Sequence, residues 1–181
     1  MKNLSDTKHQ SISVREIADI SMAAALGLVL GYISKLFFQM PQGGNIGLDM
    51  IPVFYIALKR GAKDGIITGT IVGFLLLITD YFVIHPVQLL LDYPLAHLAL
   101  GFAGFSVFRK KLWWLGIIVG SLGRFLFHYI SGVVFFASFA PKGMNVHWYV
   151  VSYIASHMIP GTIVAILVIF LLRRYKGLWI T

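Results

Sequence analysis

Apolar stretches alternate along this chain with short polar segments that carry most of its positive charge. Twelve of the fifteen Lys and Arg residues fall in four such segments, at residues 2–15, 59–63, 109–111 and 173–176. A helix needs about 20 apolar residues to cross the hydrocarbon core of a bilayer. The pattern therefore predicts six membrane helices, at residues 16–38, 47–58, 64–83, 86–108, 112–136 and 147–172.

The positive charge also predicts the orientation of these helices. Threading them alternately through a bilayer puts all four basic segments on one side, and Lys and Arg collect in cytoplasmic loops. We expect both termini in the cytoplasm, with residues 1–15 as a polar segment and residues 16–181 as a single six-helix membrane domain. The second helix is short and contains Pro52, so a tilted, broken or partly spanning segment is an alternative there.

Composition supports a membrane protein and excludes several other classes. Hydrophobic residues make up 58% and charged residues 12% of the chain, against about 25% charged residues in soluble domains. The basic residues form small groups rather than a continuous patch, so the net charge of +8 does not indicate nucleic-acid binding. The chain has no Cys, no HExxH motif and no GxxxxGKS/T phosphate loop. We expect no metal, no cofactor and no ATP hydrolysis by the chain itself.

Ionisable residues inside the predicted helices indicate a functional site, because charge within a bilayer is costly. Asp92 lies near the outer end of helix four, and Arg124 and His128 are spaced to share one face of helix five. His97 is expected to point to another face than Asp92 and to be structural. Helix six brings further polar side chains to the same layer, at Tyr149, Ser152, Tyr153 and His157.

Two interpretations of this polar layer follow. In the structural one, Asp92 and Arg124 form a buried ion pair and His128 bonds a backbone carbonyl. In the other, groups from three helices converge on a pocket for a small, flat, polar heteroaromatic ligand. Asp92 would accept a hydrogen bond from an amino group or a protonated ring nitrogen of the ligand. Tyr93 would donate a hydrogen bond to the ligand or stack on it, and His128 and Phe136 would sandwich its ring. The layer has no evident nucleophile, so an enzyme is not expected.

Helix one has a different feature, a set of closely spaced small residues that includes Ser21 and Ala25. Small residues let another helix approach closely in lipid, where packing rather than hydrophobicity drives association. The partner is either a helix of the same bundle or another membrane subunit.

The chain resembles the thiamine-specific substrate-binding components of energy-coupling factor (ECF) vitamin transporters, the ThiT or YuaJ family. Four segments carry the resemblance: MPQGGNIGLDMIPVFYIALKRG (40–61), HPVQLLLDYPLAHLALGFAG (85–104), RFLFHYISGVVFF (124–136) and APKGMN (140–145). It implies a six-helix bundle in the bacterial cell membrane, with an outward-facing vitamin pocket under loops 39–46 and 137–146. It also implies no enzymatic activity, and partners in a membrane scaffold subunit (EcfT) and two cytoplasmic ATPases (EcfA and EcfA'). The family's scaffold-contacting motif falls on Ser21 and Ala25.

The resemblance also assigns residues to the binding of thiamine. Asp92 and Tyr93 match the family's acidic and Tyr pair, whose acid reads the aminopyrimidine ring. Helix five matches the family's basic residue, histidine, glycine and stacking aromatic at Arg124, His128, Gly132 and Phe136.

Helix six departs from the family pattern of a Tyr followed five residues later by an Asn. The pair falls on Tyr149 and Ile154, or, with a shifted alignment, on Tyr153 and His157. Thiamine is therefore the first choice of ligand, and hydroxymethylpyrimidine or pyridoxine is the alternative. A solitary proton-coupled carrier, with Asp92 or His128 as the proton site, is the other functional alternative.

Overall fold

The computed structural model describes residues 13–79, 83–175 and 179, and the regular structure of this part of the chain is entirely helical. Residues 1–12 of the predicted polar segment and residues 80–82 of the third predicted helix lie outside the described residues. Short 3-10 turns and a π-helical stretch, Leu91–Leu95, accompany the α-helices. The α-helices are α1 (Val14–Phe38), α2 (Met50–Arg60), α3 (Ala62–Thr79), α4 (Pro86–Leu90), α5 (Ala96–Leu100), α6 (Ser106–Arg109), α7 (Trp113–Phe135) and α8 (Val146–Arg173).

Four of the described helices, α1, α3, α7 and α8, are long and apolar enough to cross a membrane. They correspond to the first, third, fifth and sixth predicted helices. The other two predicted helices differ from a simple span: α2 is short, and the fourth is divided into several helical pieces. The count of six spans and the cytoplasmic location of both termini stay predictions.

The short helix α2 forms the centre of the core. Its 11 residues extend for about 16 Å, well below the thickness of the hydrocarbon core. Val53, Phe54 and Ala57 are fully buried, so α2 is surrounded by protein rather than by lipid. Pro52 lies in the first turn, where its missing N–H has no helical partner to lose, and the helix is not broken. Gly61, with a φ of 124°, ends it in a conformation that favours glycine.

The fourth predicted helix is not one regular α-helix. From α4 the chain winds through the π-helical stretch into α5 and then a 3-10 turn at Gly101–Gly104, and the extended Phe105 interrupts it before α6. Pro94 lies inside the π-helical stretch and has no N–H to continue the α pattern. At Gly73 of α3, a Cβ would come within 2.6 Å of the Tyr93 carbonyl oxygen. The absence of that Cβ lets α3 pack directly against the π-helical stretch.

Five charged residues bind α1, α2 and α3 together, and we call them the charge cluster: Glu16, Asp19, Lys59, Arg60 and Asp64. Arg60 donates to Asp64 at 2.8 Å and to Asp19 at 3.0 Å. The Asp64 hydrogen bond raises the pKa of Arg60 above its ordinary value, so this residue stays a cation. Glu16 and Asp19 of α1 therefore form ion pairs with residues of α2.

The small residues of α1 divide between two faces. Ala23, Ala24 and Gly27 are buried in the bundle, and a Cβ at Gly27 would lie 2.8 Å from the Val72 side chain of α3. Ser21 and Ala25, by contrast, are exposed on the outer face of α1. Close packing within the bundle explains the first group and leaves the second available to another helix.

Candidate functional site

A cavity lies between the loop before α2, the π-helical stretch, α7 and α8. All the residues predicted to bind the substrate line it: Asp92, Tyr93, Arg124, His128, Gly132, Phe136, Tyr149, Tyr153 and His157. The wall also contains Asp49, Gln88 and His97, which the sequence analysis did not assign to the site. The described residues contain no group of three or more His, Asp or Glu side chains arranged to hold a metal ion.

Asp92 sits on the π-helical stretch with its carboxylate at the cavity wall. Its side chain is 15% exposed. One oxygen, Oδ1, accepts a hydrogen bond from Nδ1 of His128 at 3.0 Å. The other, Oδ2, accepts from Nε2 of Gln88 at 2.8 Å and from Oγ of Ser131 at 2.9 Å. Asp92 is thus held by hydrogen bonds from two helical segments, α4 and α7.

Arg124 and His128 lie on one face of α7, as their spacing predicted. Arg124 donates from Nε to Nε2 of His128 at 3.2 Å. Because Nε2 accepts this bond, the imidazole proton lies on Nδ1, from which it is donated to Asp92. The guanidinium therefore fixes the tautomer of His128 that can bond Asp92.

Asp49, which the sequence analysis overlooked, is the carboxylate that pairs with Arg124. Arg124 donates to Asp49 Oδ2 at 2.8 Å, and Asp49 is 2% exposed. The structural interpretation is therefore wrong in pairing Asp92 with Arg124, since the guanidinium reaches Asp49 instead. A carboxylate inside the apolar run around Pro52 was a signal that could have identified it. We call Asp49, Asp92, Arg124 and His128 the cavity network.

His97 lines the same cavity as Asp92, although the sequence analysis placed it on another face. Its ring hydrogen-bonds the Tyr93 carbonyl oxygen at 2.6 Å and Asp49 Oδ2 at 2.7 Å. On an α-helix, residues four apart share a face and residues five apart diverge. A π turn closes its hydrogen bonds between residues five apart, so the π-helical stretch brings His97 round toward the side of Asp92.

The wall formed by α8 is aromatic and is tied to the loop before α2. Tyr149, Tyr153 and His157 are spaced four residues apart, and the ring centroids are 6.3 Å apart for the two tyrosines and 5.3 Å apart for Tyr153 and His157. The Tyr153 hydroxyl accepts from the Gly44 backbone N–H at 3.0 Å and donates to the Pro41 carbonyl. Tyr153 therefore fastens the loop to α8 beside the cavity.

Both alternative alignments of helix six lead to residues on the cavity wall. Ile154 lines the cavity but has no side-chain hydrogen-bonding group. His157 donates from Nδ1 to the Tyr153 carbonyl at 2.9 Å, and none of the described residues bonds its Nε2. His157 is thus the residue on α8 whose side chain can form a hydrogen bond in place of the Asn amide of the family pattern. Ser152, grouped with this layer from the sequence, is exposed, bonds the Tyr149 carbonyl and does not line the cavity.

Gly132 and Phe136 complete the wall on α7 where it meets α8 and the following loop. A Cβ at Gly132 would lie 2.5 Å from the Val150 side chain, so a glycine here lets α7 and α8 approach. The Phe136 ring, at the end of α7, lies 5.9 Å from the Phe139 ring. Phe136 thus adds an aromatic surface to a wall that also carries the polar network.

Comparison with known proteins gives consistent results. Residues 17–178 match the sequence model of a family described as "Thiamine transporter protein (Thia_YuaJ)". The chain is 38% identical to the thiamine transporter ThiT of Bacillus subtilis, over 91% of this chain and 93% of that protein. It is 31% identical to the thiamine transporter ThiT of Lacticaseibacillus paracasei, over 78% and 77% of the two chains. A solved structure of ThiT from Listeria monocytogenes, 24% identical, has the same fold, with a TM-score of 0.81 over 93% of this chain and 98% of that one.

Proposed function

The chain belongs to the thiamine transporter protein family, and on that premise we propose that it captures thiamine as the substrate-binding subunit of an ECF-type transporter. It is a transport protein rather than an enzyme, and a multi-pass protein of the bacterial cell membrane. In the proposal, a scaffold subunit and two ATPases supply the energy that releases the vitamin inside, since the chain has no phosphate loop of its own.

The observation that supports this function is a carboxylate and an aromatic surface on the walls of one cavity. Thiamine combines an aminopyrimidine, which carries N–H donors, with a positively charged thiazolium ring. Arg124 pairs with Asp49, and Asp92 is bonded by His128 in its Nδ1–H tautomer, by Gln88 and by Ser131. The Asp92 carboxylate is thus placed to receive the amino group of a cationic ligand. The Phe136 ring provides a surface on which a flat ring can stack.

The exposed small residues of α1 support docking to a scaffold subunit. Ser21 and Ala25 lie on the outer face of α1, where their small side chains let a neighbouring helix come close. A larger side chain at Ala25 would keep such a helix away without touching the cavity.

Calorimetric titration of the detergent-solubilised protein with thiamine, hydroxymethylpyrimidine and pyridoxine tests the ligand. We expect one thiamine to bind per chain, more tightly than either smaller ring. If hydroxymethylpyrimidine or pyridoxine binds tightly and thiamine does not, that compound rather than thiamine is the ligand. Absence of binding by all three, in protein shown to be folded, would contradict the capture role.

Uptake of labelled thiamine into vesicles tests the proposed partners. We expect uptake only when the scaffold and ATPase subunits are present with ATP. Ala25→Leu should reduce uptake and leave thiamine affinity unchanged, while Val134→Phe, a control that adds bulk to an exposed position on α7, should affect neither. Uptake by the chain alone without ATP, abolished by a protonophore, would instead establish the proton-coupled carrier.

A further inference from the structure

The hydrogen bonds around Asp92 determine how much of its carboxylate is available to a ligand. Each carboxylate oxygen has two lone pairs that accept hydrogen bonds. Both positions of Oδ2 are taken, by Gln88 Nε2 and Ser131 Oγ. Oδ1 accepts from His128 and retains one position. Among the described residues these are the donors that reach Asp92, so a ligand meets one remaining acceptor position, on Oδ1.

The amide of Gln88 is oriented by a second hydrogen bond. The backbone N–H of Ile84 donates to Oε1 of Gln88 at 3.2 Å, so the NH₂ group faces Asp92. A flipped amide would put an oxygen against the carboxylate and an N–H group against the Ile84 N–H, and both contacts would be unfavourable. Gln88 is also buried. Its donor is therefore fixed toward Oδ2 by the loop before α4.

Ser131 behaves differently from several other hydroxyls in the described helices. A Ser or Thr inside a helix often bonds a carbonyl of the preceding turn of its own helix. Five hydroxyls in the described helices do so, those of Thr68, Thr70, Thr79, Ser152 and Ser156. The buried Ser131 instead donates from α7 across to Asp92. Its hydroxyl therefore serves the cavity network.

We propose that Gln88 and Ser131 determine ligand specificity by occupying Oδ2 of Asp92, so that Oδ1 presents a single fixed acceptor and the cavity selects a 4-aminopyrimidine over its 4-oxo counterpart. An amino group donates to Oδ1, whereas an oxo group would place a second acceptor against it. A site whose buried polar group is left facing an unsuitable partner rejects that ligand strongly. This inference rests on the proposed function, with thiamine as the ligand.

The test compares the affinities for thiamine and for oxythiamine, its 4-oxo analogue, by calorimetric titration. For the wild-type protein we expect thiamine to bind roughly 100-fold more tightly, as the mismatch of a charge-assisted hydrogen bond predicts. In each of Ser131→Ala and Gln88→Met the carboxylate loses one of its two donors at Oδ2. It is then held less firmly, so it can turn away from an oxo group and is less well placed for an amino group. We expect the ratio of the two affinities to fall roughly tenfold in each variant, by the loss of about one hydrogen bond.

Ser121→Ala is the matched control for Ser131→Ala. Ser121 is also a buried serine of α7, but its hydroxyl accepts from Thr162 Oγ1 at 3.0 Å and does not line the cavity. The control should keep the wild-type ratio. Equal weakening of both ligands in Ser131→Ala or Gln88→Met would show a merely structural role and overturn the inference. A shifted ratio in Ser121→Ala as large as that in Ser131→Ala would do the same.

The outcomes for the wild-type protein separate this inference from the proposed function. If folded wild-type protein does not bind thiamine, the proposed function fails and the inference fails with it. If thiamine binds tightly but oxythiamine binds equally well, the specificity assignment fails and the proposed function stands. Gln88 and Ser131 lie on different helices, so either variant that folds is sufficient for the comparison.

Discussion

The charge cluster and the cavity network combine the same kinds of residue and differ in what their hydrogen bonds leave available. In the charge cluster, the carboxylates of Asp19 and Asp64 meet the Arg60 guanidinium directly. In the cavity network, Asp49 is paired with Arg124 in the same way, but Asp92 is bonded by side chains that leave one acceptor position at the cavity wall. Charge inside a membrane protein is therefore a weak sign of a site, and an available acceptor facing a cavity is a stronger one.

Burial distinguishes Asp49 from the carboxylates of the charge cluster. The side chains of Arg60 and Asp64 are 14% and 10% exposed, whereas Asp49 is 2% exposed beside its partner. An ion pair near water contributes little to stability because solvent screens it. Removal of one partner from a buried pair leaves a charge without compensation. The loss of Asp49 should consequently cost more stability than the loss of a carboxylate from the charge cluster.

The largest expected effect is on stability, in the pair Asp49 and Arg124. Asp49→Ala leaves the Arg124 guanidinium buried without a counter-charge and should cost about 3–5 kcal/mol of unfolding free energy. Thermal unfolding in detergent measures this loss. The control Asp19→Ala, in the charge cluster, should cost far less because Arg60 keeps Asp64 as a partner. Equal losses in the two variants would contradict the distinction between the clusters.

The next effect is on thiamine affinity, through the acceptor position of Asp92. Asp92→Ala should weaken thiamine binding by about 100-fold or more, since a charge-assisted hydrogen bond is lost. His128→Ala should weaken it too, because His128 bonds Asp92. Calorimetry measures both, with Asp64→Ala as the control that removes a carboxylate from the charge cluster. Unchanged affinity in Asp92→Ala, or an equal loss in Asp64→Ala, would disprove the site assignment.

A smaller effect is expected from the cation of the charge cluster. Arg60→Ala should lower the unfolding free energy by about 1 kcal/mol, as for ion pairs close to the surface, and leave thiamine affinity unchanged. Salt screens such pairs, so the loss should be greater at low than at high ionic strength. Thermal unfolding at two salt concentrations measures it. A change in thiamine affinity would mean that the two clusters are coupled through α2.

The smallest effect concerns Ser34, a buried serine on α1. Its Oγ is a buried polar atom that has no hydrogen-bond partner among the described residues. Ser34→Ala removes this unsatisfied group and should raise the unfolding free energy by up to about 1 kcal/mol. Ser131→Ala makes the same change where the hydroxyl has a partner, and should lower it. Thermal unfolding of both variants measures these changes. A change of the same sign in the unfolding free energy of both variants would contradict the prediction.

The four long helices could be predicted closely from the sequence because length and apolar composition are properties of each segment alone. The fifth predicted helix, 112–136, differs by one residue at each end from α7 (Trp113–Phe135). The candidate site residues could also be predicted from the sequence, since polar residues within apolar helices are easily recognised. The structure brings all of them to one cavity, while their roles in binding stay predictions.

The partners of these residues could not be predicted, since they depend on how the helices pack. Arg124 is separated by 75 residues from Asp49, and nothing in the local pattern favours it over Asp92. His97 reaches the cavity because the chain around Pro94 forms a π turn instead of an α turn. The sequence around Gln88 and Ser131 does not indicate a functional role. Their proposed role in specificity follows from their hydrogen bonds to Asp92.

The sequence by itself determined that this is a helical membrane protein of the thiamine transporter family, with a polar layer in its membrane helices. Those conclusions follow from hydrophobicity and spacing, and from motifs that are local along the chain. Only the tertiary structure decided which carboxylate neutralises Arg124 and which one keeps an acceptor for a ligand. Hydrogen bonds and ion pairs act over a few ångströms, so distances set by packing, and not positions in the sequence, select the partners.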